Sequence, residues 1–91
     1  MKLYKLKHLP TGLYFTPSKG YGNLSTTGKV YINRVPDLKW VESIRIRFYT
    51  DSNSEKAKRI AEFFKIDIDN AYKIDLSVHT QSSDWEIIEI Q

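Results

Sequence analysis

The chain has no cysteine, which excludes disulfide staples and thiolate metal sites and fits a reducing compartment. Glycine and proline are scarce, at four and three residues in 91, so this is not a flexible or low-complexity chain. No segment approaches the roughly 18 consecutive apolar residues that a membrane span needs. The start at Met1-Lys2 leads into a Lys-interrupted pattern instead of the apolar core of a signal peptide. A protein that folds in water, neither secreted nor membrane-bound, is the expectation. What is present is 41% hydrophobic and 27% charged, a globular balance, and 91 residues suffice for one core and not two. A single domain over 1–91 is expected.

The net charge of +3 conceals an asymmetry. Residues 1–50 carry nine Lys/Arg against two acids, and 51–91 carry five against nine, so the halves are +7 and −4. Such a split either presents a basic face to an acidic partner or is neutralised across shared strands.

Periodicity orders the chain. Leu3–His8 and 13–16 flank Pro10-Thr11-Gly12, a turn signal, and read as an N-terminal hairpin. Residues 17–28 hold a proline, three glycines and Asn23, which predicts an extended surface loop before a strand at 29–33. Pro36-Asp37 starts a turn, and 38–41 reads as one helical turn or irregular chain. From Ile44, apolar Ile44, Ile46 and Phe48 alternate with Arg45, Arg47 and Tyr49, a strand with one wet side. Ser52 three residues before Glu55 fits a capping box, and Ala57, Ile60, Ala61 and Phe64 follow at helical spacing, so a helix over about 53–65 is predicted. Alternation returns at 72–79, and Gln81–Asp84 turns into 85–90, read as a closing hairpin. The fold class is α+β: a mainly antiparallel sheet of five to six strands, one helix on one face, and the option of curling into a partial barrel.

The glycine-rich block Thr11–Tyr31 holds all four glycines and three of the six tyrosines. Within it, Lys19-Gly20-Tyr21-Gly22 matches the opening of the RNA-recognition and cold-shock consensus, where glycines admit a base and aromatics stack on it. Asn23 and Thr26 then stand where stacking aromatics belong, and Pro17 argues for a loop instead of a central strand. A broader set carries more chemistry: Lys19, Tyr21, Lys29, Tyr31, Arg34, Lys39, Trp40, Arg45, Arg47 and Tyr49. Cations meet phosphates or carboxylates while flat rings stack on bases or side chains, provided they share a face. The alternative for Arg45 and Arg47 is pairing with Asp75, Glu86 or another acid across the sheet.

Catalytic and metal signals are weak. His8 and His79 have no neighbouring His or Cys, and Asp67-Ile68-Asp69-Asn70 begins like a calcium loop but continues with Ala71 and Tyr72. Neither a Gly-x-Ser-x-Gly elbow nor a phosphate-binding Gly-Lys-Ser/Thr occurs. In a strand, Glu86 and Glu89 fall on opposite faces, which spoils them as a carboxylate pair. The expectation is a non-enzyme with no catalytic residue, no metal and no cofactor.

Three blocks carry a resemblance: Thr-Gly-Leu-Tyr-Phe-x-Pro-Ser-Lys-Gly at 11–20, Asn-Leu-Ser-x-x-Gly-Lys-Val-Tyr at 23–31, and Asp-Trp-Glu-Ile-Ile-Glu at 84–89. Together they resemble small uncharacterised accessory proteins of tailed bacteriophages and prophages. The resemblance implies a viral protein made in the bacterial host cytoplasm that binds a host protein or protein–nucleic-acid complex, for instance as an inhibitor of a defence system such as CRISPR. Two other readings stand beside it. One is a direct nucleic-acid binder using the basic and aromatic set, and the other is a structural or virion-associated protein that self-associates.

Overall fold

The computed structural model describes residues 1–50, 54–66 and 73–90. It is an α+β fold of seven strands and two helices in the order β1 (Leu3–His8), β2 (Leu13–Ser18), β3 (Tyr21–Ser25), β4 (Tyr31–Ile32), α1 (Leu38–Ser43), β5 (Arg45–Thr50), α2 (Glu55–Phe64), β6 (Ile74–His79) and β7 (Trp85–Ile90). A short 3-10 turn, Ser82–Asp84, precedes β7.

The expected N-terminal hairpin is present, with Lys7 opposite Tyr14 and His8 opposite Leu13. β1 is the hub. It pairs antiparallel along its whole length with β7 on one edge, and shares its other edge between β2 and β4. Beyond β2 the sheet continues through β3, β5 and β6, and every pairing is antiparallel except β3 with β5. The expected hairpin of the last two strands is therefore corrected: β6 pairs with β5 and β7 with β1, in registers that set Ile46 opposite Val78, Phe48 opposite Leu76, Leu6 opposite Ile87 and His8 opposite Trp85 on the core side.

The stretch 17–28 is not all loop either, since β3 runs through it. Pro17 is tolerated because Phe15 O accepts from Lys29 N, which shows that odd-numbered residues of β2 turn their backbone groups away from β3. The missing N–H of Pro17 thus costs the β2–β3 ladder nothing. Gly22 lies opposite Pro17 and faces the core, where a Cβ would collide with the Phe15 ring and the Ile46 side chain. Glycine permits the close approach that puts β3 beside β5. After β3, the Ser25 hydroxyl accepts from Gly28 N at 2.7 Å, and Gly28 adopts φ +75 to turn the chain back along β2. The expected strand at 29–33 shortens to Tyr31–Ile32, since Asn33 at φ 57 leaves the extended region to bond Lys2, just before β1.

Residues 38–41 belong to α1, a second helix capped by Asp37, whose carboxylate accepts from Lys39 N and Trp40 N. α2 lies inside the expected span and buries Ala57, Ile60 and Ala61, the stripe its spacing predicts. Its N-cap is Ser54, accepting from Ala57 N, and it ends at Lys65 in the left-handed conformation. The predicted capping residue Ser52, the segment Asp67–Asn70 and Tyr72 lie outside the described residues.

Leu6, Leu13, Phe15, Leu24, Ile46, Phe48 and Trp85 form the buried face of the sheet, and Val41, Ile60 and Ala61 come from the helices. The sheet curls around them. His8 on β1 and Phe48 on β5 are three strand spacings apart, roughly 14 Å in a flat sheet, yet their ring centroids lie 5.6 Å apart. Thr80–Asp84 joins the two edge strands, which a flat sheet would hold more than about 20 Å apart. No pairing joins β6 to β7 among the described residues, so the sheet remains open.

His8 is wholly buried. Its Nδ1 bonds the Thr11 hydroxyl at 2.8 Å, its Nε2 has no hydrogen-bond partner, and Phe48, Phe63 and Trp85 surround the ring. Burial pushes its pKa down to about 4, with Asp84 pulling the other way. Between pH 6.5 and 4 the unfolded chain therefore binds a proton that the folded chain refuses, so acidification across this window destabilises the fold, by about 3 kcal/mol at its lower end. Chemical denaturation of His8→Phe and wild type across pH 7 to 4 should show the variant losing this component of the pH dependence. Gly22→Ala should lower stability by about 1–3 kcal/mol through overpacking, read as a reduced denaturation midpoint with an unchanged slope.

Candidate binding surfaces

The ten basic and aromatic residues singled out in the sequence divide between separate places. Lys29, Tyr31, Arg34 and Trp40 line one cleft of about 340 Å³, completed by Pro17, Val35, Pro36 and Asp37. β2 supplies Pro17, β4 supplies Tyr31, and α1 supplies Trp40. The loop 33–37 closes the end because Asn33 redirects the chain and Asp37 starts the helix.

Tyr31 is the centre of the cleft. It is buried, with Lys29 Nζ 4.9 Å from its ring centroid and the Arg34 guanidinium 5.7 Å away. Two cations share one ring, so their side chains are held against an aromatic surface, and neither forms an ion pair among the described residues. Burial raises the Tyr31 pKa and Arg34 acts in the opposite direction, so the phenol remains neutral and keeps its donor. Trp40 packs edge-on to Phe15 at 5.8 Å while remaining 43% exposed, and Val35 beside it is 57% exposed. Asp37, the only acid in the lining among the described residues, turns its carboxylate to the α1 N-terminus. The cleft presents flat apolar surface and two positive charges to whatever enters.

A second group lies on the outer face of the sheet. Side chains of directly paired residues project to the same side, and the registers of β3, β5 and β6 place Tyr21, Arg45, Arg47, Tyr49, Ser77 and His79 together there. Arg47 forms a two-pronged ion pair with Asp75, at 2.9 and 3.0 Å, and stacks over Tyr49 at 4.5 Å. The cross-strand pairing weighed from the sequence is thus realised for Arg47. Arg45 forms no ion pair among the described residues and makes a long contact, 3.4 Å, to the Ser77 carbonyl. Lys39 stands apart on α1 beside Glu42, Ser43 and Ser82, and Lys19 is exposed at the β2–β3 tip.

Sequence reasoning missed Pro17, Val35 and Pro36 as cleft walls. It also missed Lys5, Lys7 and Tyr14 on the outer face, where Lys5 lies over the Tyr14 ring at 5.1 Å. The alternation of Leu3–His8 already separates Lys5 and Lys7 from Leu6 and His8, and would have shown that pair. Among the described residues no three His, Asp or Glu side chains gather as metal ligands. Among the described residues no helix is long and apolar enough to cross a membrane. Comparison with protein-family models, with curated proteins and with solved structures finds no match.

The two tryptophans report on different places, since Trp85 is only 5% exposed. Iodide should quench Trp40 fluorescence and leave Trp85 nearly untouched; Trp40→Phe should abolish the quenchable component.

Proposed function

We propose that this chain is a non-enzymatic, phage-type accessory protein that recognises a host macromolecule through the Lys29–Tyr31–Arg34–Trp40 cleft. The observation that carries the reading is the pair of cations held on Tyr31 beside an exposed tryptophan. Exposed aromatic and arginine side chains are the usual anchors of protein interfaces. The partner that fits is a protein surface with an acidic residue next to an apolar projection, as in an inhibitor that occupies a working site of a host or defence complex. The motif resemblance at 11–20, 23–31 and 84–89 supports the bacterial host cytoplasm as the setting. The test is affinity capture of the tagged protein from its host, with and without nuclease. A partner that survives nuclease and is lost with Arg34→Ala/Trp40→Ala supports the reading, and retention by the double variant rejects it.

Direct binding of single-stranded nucleic acid is a second reading, favoured by Tyr14, Tyr21 and Tyr49 interleaving with Lys5, Lys7, Arg45 and Arg47 on the outer face of the sheet. Under it, oligonucleotide affinity falls with salt at a log–log slope of about −0.7 per phosphate contacted. An oligonucleotide titration that shows no binding at low salt removes this reading and leaves the first intact.

A further inference from the structure

A cavity of about 500 Å³ lies at the end of the outer face, lined by Gly20, Tyr21, Ser43, Ile44, Arg45, Arg47, Ser77 and His79. It shares no lining residue with the Tyr31 cleft. Among the described residues its lining holds two guanidinium groups, one imidazole and three hydroxyls and no carboxylate, while Asp75, paired with Arg47, acts electrostatically on Tyr21.

The donors are arranged by the strand registers. Arg45 stands directly opposite His79, and Arg47 opposite Ser77, while Tyr21 precedes Gly22, the β3 partner of Ile46. Tyr21, Arg45 and His79 thus form one row across three strands. Arg47 is committed to Asp75 on two prongs, which fixes its plane and leaves Arg45 as the available guanidinium. Arg45 spends one N–H on the Ser77 carbonyl, and a guanidinium has five. The Tyr21 oxygen has hydrogen-bonding partners in Ser18 and Arg47, which hold its pKa below the ordinary value. Tyr21 lines the cavity with its ring and hydroxyl, and a phenol oxygen can both donate and accept. At the adjoining hairpin tip Gly20 adopts φ +72, and a Cβ there would meet nothing within 4 Å, so the approach is open.

We infer that this cavity is a binding site for a phosphate monoester, with Arg45 as the main charge contact and Tyr21, Ser77 and His79 as hydrogen-bond donors. A guanidinium meets a phosphate on two oxygens, and the surrounding hydroxyls satisfy the third. The cavity exceeds the size of the anion alone, so the ester carries an organic body lying against Ile44 and the Tyr21 ring. A mononucleotide and the 5′-phosphate end of a nucleic-acid strand both present this chemistry.

The test is amide and side-chain NMR titration of the labelled protein with inorganic phosphate, with adenosine monophosphate, and with a short oligothymidine bearing either a 5′-phosphate or a 5′-hydroxyl. Shifts at Gly20, Tyr21, Arg45, Ser77 and His79 on addition of a phosphate monoester support the site. Arg45→Ala should then weaken binding about tenfold, and Arg45→Lys less. Arg45 is exposed, so an unchanged melting temperature verifies that the variant folds. Binding of the mononucleotide identifies a free ligand, and binding of the phosphorylated strand alone identifies a strand end. Equal affinity for the 5′-hydroxyl strand, wild-type affinity in Arg45→Ala, or no shift at these residues overturns the site. Arg34→Ala/Trp40→Ala should leave these titrations unchanged, so failure here is distinct from failure of the cleft as a partner surface.

Discussion

The packing of His8 against Phe48 and Trp85 holds the two ends of the sheet to one core. A seven-stranded sheet this small would expose much of one face if flat, because two short helices cannot cover it. Bringing β1 and β5 into ring contact lets the sheet cover itself. Phe63 and Phe64 of α2 close on the same cluster, with Phe64 edge-on to Phe48 at 5.0 Å. The position favours a ring, yet the ring chosen carries a nitrogen without a partner. Leaving that group unsatisfied is a cost the aromatic packing has to exceed.

The curl sorts the chemistry. Residues on the inner side of β2, β4 and α1 converge at the Tyr31 cleft, while those on the outer side of β3, β5 and β6 diverge from it. A basic N-terminal half therefore produces two positive surfaces that share no lining residue, instead of the single basic face its composition evokes. Asp75, from the acidic half, pairs with Arg47, so among the described residues the charge split is partly cancelled across β5–β6 and partly left open at Arg45, Lys29 and Arg34.

Much of this was legible in the sequence. The first hairpin, the wet and dry faces of β5 and the buried stripe of α2 follow from local periodicity and turn chemistry. β3 was not legible, because its strand character comes from the Pro17 nitrogen facing away from the ladder and from the space Gly22 leaves for Phe15 and Ile46, both tertiary facts. The pairing of β7 with β1 was hidden for a related reason: adjacency in sequence favours a hairpin, and only the curl brings the two edges close enough for Thr80–Asp84 to bridge them. Burial of His8 was equally invisible, since its strand pattern marks the inner face without showing which side chains fill it. The cleft was half legible, its rings and cations being evident and its proline walls not.

The orientation of Pro17 also governs what can enter the cleft. Lys29 N occupies the Phe15 carbonyl, and the next backbone nitrogen facing the same side, that of Pro17, has no proton to offer. That rim cannot template an added strand, which needs alternating donors and acceptors along an edge. Entry must be by a side chain or ring inserted against Tyr31 and Trp40, a mode that selects shape and charge and is blind to main-chain hydrogen bonding.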